Sequence, residues 1–247
     1  MNWLLQNFGQ RLRFIVRNPR YCAGALYREL TLADEHFLSS ITGIAPGRIR
    51  SFLNEPIQTE PFAACLRAAD SFFNTAEIRS ADRYAKKILL QYAAVRALNP
   101  EVIVETGVAS GVSSSYLLLA LQKNGRGILH SIELGDSRYL PSGKPPGWIV
   151  PEWLKARWDL RIGDSRVLLP QLLQEIHEID IFIHDSLHTY DQMLWEYRAA
   201  YPSIRPGGLL LSDDAAWNHA FPEFCKETGA RRWQILRGVG ILQKDRP

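Results

Sequence analysis

The sequence predicts an α/β protein whose core is a doubly wound, mainly parallel sheet of seven strands, preceded by a helical extension. From residue 81 onward, short apolar runs alternate with segments of helical length, the pattern of strands that are buried on both faces and crossed over by helices. The loops that follow the first strands carry glycine, serine and acidic residues, as ligand loops at the carboxyl edge of such a sheet do. The final two apolar runs are separated only around Gly238, which marks an antiparallel hairpin at the sheet edge.

In chain order, residues 1–80 read as helices interrupted by Pro19, by a turn at Pro46-Gly47, and by a short connection flanked by Pro56 and Pro61. Thr31 is placed to cap the helix that begins Leu32-Ala33-Asp34. No chemistry is evident there, and the segment is expected to act as a cap or an oligomerisation element, with a second unit from 81 to 247. Residues 81–98 form a helix stopped by Asn99-Pro100, and Val102-Ile103-Val104 is the first strand. A helix at 112–123, a strand near 127–132 and a long loop follow. Then come a strand near 159–162, a helix near 166–175, the strand 179–183 and a helix near 189–203. Arg205-Pro206-Gly207-Gly208 reads as a turn before the strand Leu209-Leu210-Leu211, and 232–237 with 239–243 make the hairpin.

Bulk composition narrows the function classes. Hydrophobic residues make up 46% of 247, enough for a large core, and 22% charged residues argue against disorder. Cys22, Cys65 and Cys225 are odd in number and far apart, which excludes a disulfide framework and fits a reducing compartment. No stretch suits a membrane span or a signal peptide, so the soluble cytoplasm is expected. The net charge of +3 is concentrated in residues 1–30, where five arginines face Glu29 alone and Trp3, Leu4, Leu5 and Phe8 add apolar surface. Such a helix suits packing on its own domain or a dimer mate, with peripheral contact to an anionic membrane as the alternative. Nucleic acid is not an expected partner, because no basic patch with interleaved aromatics occurs elsewhere.

The loop after the first strand reads Glu105-Thr106-Gly107-Val108-Ala109-Ser110-Gly111-Val112-Ser113. Gly107 and Gly111 allow tight turning and close approach of a ligand, and the next helix offers free amides to an anionic group such as a carboxylate. Glu105 can accept from an ammonium or hydroxyl. The loop lacks the Gly-x-Gly-x-x-Gly spacing of a dinucleotide site, which disfavours a nicotinamide dehydrogenase. Glu133 ends the second strand, where an acid suits two ribose hydroxyls, or is simply solvated. Asp164-Ser165 ends the third, suited to an adenine edge or to capping the following helix. Three acids at successive strand tips favour a nucleoside ligand that carries an amino acid.

With these residues in view, the chain resembles the class I methyltransferases, whose core pattern residues 100–215 largely cover. The Glu105-x-Gly107-x-x-x-Gly111 form with Ser113 is similar to the small cation-dependent catechol and caffeoyl-coenzyme A O-methyltransferases, with Ala109 where the general pattern has glycine. The resemblance implies S-adenosylmethionine as cofactor, with Glu105, Gly107 and Ser113 at its methionine end. Glu133 would hold the ribose and Asp164-Ser165 the adenine; Thr106 and Gly111 complete the binding loop.

The fourth strand ends His184-Asp185-Ser186-Leu187-His188 and the fifth ends Ser212-Asp213-Asp214. In a doubly wound sheet both neighbour the first strand, so Asp185, Asp213 and Asp214 are expected to converge. Three facing carboxylates repel unless a cation joins them, and an all-oxygen set selects Mg²⁺, or Mn²⁺ or Ca²⁺. His188 follows Asp185 by three residues and is the candidate general base that removes a proton from the acceptor hydroxyl. The Asp-x-x-His pair followed by Asp-Asp looks more like the macrolide-sugar O-methyltransferases, whereas in the catechol type a lysine matches His188. The bland alternatives are helix caps for Asp185 and Asp213 and a solvated His188; zinc on His184, His188 or His219 is disfavoured by the aspartates. The reading is a metal-assisted O-methyltransferase acting on a hydroxyl of a sugar, glycoside or phenol. Hydroxylase-like chemistry on the same fold, or a non-catalytic cofactor-binding scaffold, are its rivals.

Overall fold

The computed structural model describes residues 33–60, 62–65, 81–136 and 140–246. The expectations for residues 1–30, Pro19, the Thr31 cap and Pro61 lie outside the described residues. Two helices, α1 (Ala33–Thr42) and α2 (Pro46–Gln58), precede the long α3 (Ala81–Leu98). The sheet then alternates with helices: β1 (Val102–Thr106), α4 (Val112–Asn124), β2 (Ile128–Glu133), β3 (Trp158–Ile162), α5 (Ser165–Ile176), β4 (Ile179–His184), α6 (Tyr190–Ala200) and β5 (Ile204–Ser212). The chain closes with α7 (Ala220–Glu227), β6 (Arg232–Leu236) and β7 (Val239–Gln243).

The sheet order is β3-β2-β1-β4-β5-β7-β6, parallel throughout except for β7, which runs antiparallel to both β5 and β6. The order reverses between β1 and β4, and that switch point opens a crevice at the carboxyl ends of the strands. Alternate side chains on each strand feed two separate cores. Ile103, Ile181, Ile183, Leu209 and Leu211 pack with α1–α4, whereas Val104, Phe182 and Leu210 pack with α5–α7. The seven-stranded, doubly wound fold expected from the sequence is the fold observed.

Two local readings change. Pro46-Gly47 is the first turn of α2, because a proline at the first helical position has no hydrogen bond to lose and its fixed φ suits a helix start. Pro56 lies inside the same helix, near its end. The Arg205-Gly208 turn is instead the start of β5, where the register with β4 shifts between Ile179 and Ile181. Gly208 is needed at that shift, since a Cβ there would lie 2.6 Å from the Asp180 carbonyl oxygen. The final hairpin turns through Arg237 and Gly238, both at positive φ.

The helices before the sheet share one apolar cluster with it through Leu38, Ile41, Ile49 and Phe52. Polar ties reinforce the contact: Glu55 accepts from the Tyr92 hydroxyl and from Arg96 on α3, and Gln243 on β7 donates to the Ile41 carbonyl. No helix among the described residues is long and apolar enough to cross a membrane.

Candidate active site

The loop between β1 and α4 forms the floor of the crevice. Gly107 and Gly111 both have positive φ, as expected, but protein packing demands them as much as any ligand does. A Cβ on Gly107 would collide with the Asp185 backbone carbonyl in the loop after β4. A Cβ on Gly111 would meet Gly147 Cα and the Val150 side chain at 2.8 Å. Those two residues belong to the long loop between β2 and β3, which docks here through Gly147 N–H to the Ala109 carbonyl (2.8 Å) and Trp148 Nε1 to Ser110 Oγ (3.1 Å). The aromatic loop is therefore a wall built against the glycine loop; its Tyr139 lies outside the described residues. Gly107→Ala combines overpacking against backbone with an unfavourable φ. It is expected to cost about 3 kcal/mol of stability in a denaturant titration. An unchanged midpoint would show that the loop after β4 can retreat freely.

Each residue expected to bind a cofactor has a definite place. Glu105 is fully buried, with Oε1 accepting from Ser114 and Ser131 at 2.6 Å, while Oε2 has no hydrogen-bond partner. Burial, reinforced by the nearby Glu133 charge and opposed by the two serines, pushes its pKa up to about 7. The folded protein then holds a proton on Glu105 more tightly than the unfolded chain does. The stability this confers is complete below about pH 4.5 and is lost as pH rises toward 7, a change of about 3 kcal/mol. The melting temperature of the protein should fall relative to that of Glu105→Gln as pH rises from 5 to 7.5; parallel curves would contradict the assignment.

Glu133 turns back over the loop, its Oε2 accepting from the Val108 and Ala109 amides and its Oε1 from Gly135. Ser113 is buried in the first turn of α4, just behind the glycine loop. Asp164 caps α5 by accepting from the Arg166 amide at 2.8 Å. The Thr106 and Ser165 hydroxyls donate to Glu196, an acid on α6 that sequence patterning does not single out. Glu196 is fully buried and also accepts from His184 Nδ1 (2.6 Å), Ser186 Oγ (2.9 Å) and Gln192 Nε2 (2.8 Å). Its carboxyl lies at about 2, burial working against ionisation but His184, Thr106 and Ser165 overcoming it. A legible signal existed, since Gln192, Met193, Glu196, Tyr197 and Ala200 form one helical face and an acid on an apolar stripe must find donors.

β4 neighbours β1 as expected, whereas β5 pairs with β4 and β7; the residues after the two strands meet only in part, with Asp185, His188 and Asp213 brought together and Asp214 outside that grouping. His188 Nε2 is buried, has no hydrogen-bond partner and lies 3.7 Å from Asp185 Oδ1. Burial, with His184 nearby, holds the His188 pKa below its ordinary value, so the imidazole is neutral at pH 7. Asp185 is pushed well up by desolvation and by the Asp213 and Glu105 charges. Asp185, His188 and Asp213 each offer one ligand atom, all within 4.8 Å of one another, and among the described residues this is the grouping able to hold a metal ion. Asp213 and Asp214 have a further partner that sequence patterning gave no means to identify. Lys87 of α3 reaches across the fold to donate to Asp213 Oδ2 at 2.9 Å and Asp214 Oδ1 at 2.6 Å. Trp217, 71% exposed, stands edge-on to the His188 ring, and Leu187, 59% exposed, lies beside it in sequence. His219 sits at the start of α7, apart from this grouping.

Comparison with known proteins agrees with the fold. Residues 104–215, from β1 to just past Asp214, match a family described as a methyltransferase domain. No curated protein matches the sequence. Among solved structures, the fold is similar to a Klebsiella pneumoniae protein of provisional O-methyltransferase assignment, at 17% identity and a TM-score of 0.50, covering 66% of this chain and 81% of that one. It is also similar to the O-methyltransferase TomG from Streptomyces achromogenes, involved in tomaymycin synthesis and solved with S-adenosylmethionine. That likeness is at 18% identity and a TM-score of 0.50, covering 64% of this chain and 78% of that one.

Proposed function

Residues 104–215 are a class I methyltransferase domain, and from that premise we propose that the protein transfers a methyl group from S-adenosylmethionine to a hydroxyl of a small molecule. The observation that carries this reading is the neutral, unpartnered His188 Nε2 beside Asp185 at the switch point of the sheet. TomG, which shares the fold, was solved with S-adenosylmethionine. The residues present fit that cofactor. The Glu105 carboxylate has an oxygen without a partner, Ser113 and the start of α4 suit a carboxylate, and Glu133 lies where ribose hydroxyls can replace loop amides. When bound, the cofactor supplies an electrophilic methyl group on a sulfonium.

With the cofactor bound, His188 would take the proton of the acceptor hydroxyl onto Nε2, while the cofactor would give up its methyl group to that oxygen and leave as the neutral thioether. The nearby Asp213 and Asp214 charges favour the imidazolium produced. Trp217 and Leu187 give the acceptor an apolar wall, which suits a phenol, a sugar face or a glycoside. The divalent cation suggested by Asp185, Asp213 and Asp214 fits these residues poorly. Lys87 already donates into both Asp213 and Asp214, and the remaining grouping would consume His188 as a ligand and so remove the base. No step is therefore assigned to a metal ion.

The test is a calorimetric titration with S-adenosylhomocysteine, followed by an acceptor screen with labelled S-adenosylmethionine. Micromolar binding and label transfer to a hydroxyl are expected. Absence of binding would overturn the proposal, while binding without transfer to any acceptor would favour a cofactor-binding scaffold.

A further inference from the structure

We propose that Lys87 is a built-in counter-cation that takes the place of a divalent metal ion, so that the acidic centre works with a tethered ammonium. The proposal bears on how the site of the O-methyl transfer reading is charged, but its decisive test needs no methyl transfer.

The first observation is geometric. Asp213 and Asp214 directly follow β5, and α3, which precedes the sheet, delivers the Lys87 ammonium to both from 126 and 127 positions earlier in the chain. At 2.9 and 2.6 Å these are charge-assisted hydrogen bonds. The Lys87 side chain is only 11% exposed, so it has left water to lie in the acidic centre.

The second observation concerns which atoms remain. An ammonium within hydrogen-bond reach of Asp213 Oδ2 and Asp214 Oδ1 repels a dication brought to the same oxygens. A metal could still use Asp185, the other oxygen of Asp213 and His188, but it would sit beside Lys87 and tie up the His188 imidazole. An ammonium has three protons, and two are given to the aspartates. The third is available to an acceptor oxygen, where it would steady the negative charge that develops as His188 removes the proton. The charge that a metal would bring is thus supplied without an open coordination site.

The experiment is calorimetric titration of Mg²⁺ and Mn²⁺ into the full chain, with and without S-adenosylhomocysteine, for the wild type, Lys87→Met and Lys87→Arg. Folding of each variant is checked by circular dichroism. The wild type is expected to give no saturable binding below about 1 mM. Lys87→Met, which leaves three carboxylates without their cation, is expected to acquire Mn²⁺ binding at least about tenfold tighter than that limit. Lys87→Arg, which keeps the charge, should stay metal-free, and it carries the comparison if Lys87→Met does not fold: saturable Mn²⁺ binding by this variant would overturn the proposal. Saturable submillimolar binding by the wild type, abolished in Asp213→Asn, would overturn it as well. So would a folded Lys87→Met that binds no metal, because the cluster would then be no cation site for the lysine to fill. Where an acceptor is found, turnover should be unchanged by a chelator. A failed acceptor screen would count against the methyl-transfer reading and leave the metal titrations as they stand.

Discussion

Replacing His188 with alanine is expected to lower methyl transfer by about 10²–10⁴-fold, the range for loss of a positioned general base, while S-adenosylhomocysteine binds as before. The separation follows from position. His188 lies in the loop after β4, against Asp185 and Trp217, whereas the glycine loop, Glu105 and Glu133 lie after β1 and β2. Because burial and His184 hold its pKa below the usual histidine range, the wild-type rate should remain level as pH falls from 8 to 7 and decline only at lower pH, where the imidazole gains a proton and can no longer accept one. Steady-state rates with labelled cofactor, together with a pH profile of kcat, check both points. Full activity in His188→Ala would remove the base from the mechanism, and an inflection above the ordinary histidine pKa would contradict its buried, neutral state.

The largest stability effect is expected at Glu196. Its two oxygens accept from five donors: Thr106, Ser165, His184, Ser186 and Gln192. Glutamine has nearly the same shape but presents an NH₂ to part of that shell, so donor meets donor at a fully buried position. Glu196→Gln should therefore cost about 3–5 kcal/mol, the range for breaking a buried, hydrogen-bonded charge pair. The effect should also carry an acid signature. With the carboxyl held at about 2 against an ordinary value of 4.5, Glu196 contributes stability that is complete above about pH 4.5 and is lost as pH falls toward 2. Urea titrations at pH 7 and pH 3 should show the gap between wild type and Glu196→Gln narrowing at the lower pH. A loss under 1 kcal/mol at pH 7 would show that the five donors find other acceptors.

These two residues also show what sequence patterning can reach. His188 was legible because it sits three residues after an acid that directly follows a buried strand, and the carboxyl ends of parallel strands are where such a sheet binds ligands. Glu196 and Lys87 lie in mid-helix, where charged residues are ordinary and where only the packing partner gives them meaning. The apolar runs at Val102–Val104, Ile179–Ile183 and Leu209–Leu211 were read as strands because each is too short for a helix and is bounded by turn residues. The Arg205–Gly208 segment was misread as a turn for a comparable reason. Proline and glycines signal a break, and only the shifted register against β4 lets them start a strand.

The sequence by itself determined the alternation of strands and helices, and with it a mainly parallel sheet and the placing of Glu105, Glu133 and Asp185 at strand ends, with His188 in the loop just beyond. Those features follow from the period and length of local apolar segments, which neighbouring residues encode. Tertiary structure alone decided that the glycines of the loop make room for Asp185 and Val150, that Thr106 and Ser165 serve Glu196, and that a lysine from before the sheet holds the acid pair after β5. These contacts join residues up to 127 positions apart. Their energies depend on distance and burial in the folded chain, quantities that no local pattern of residue types carries.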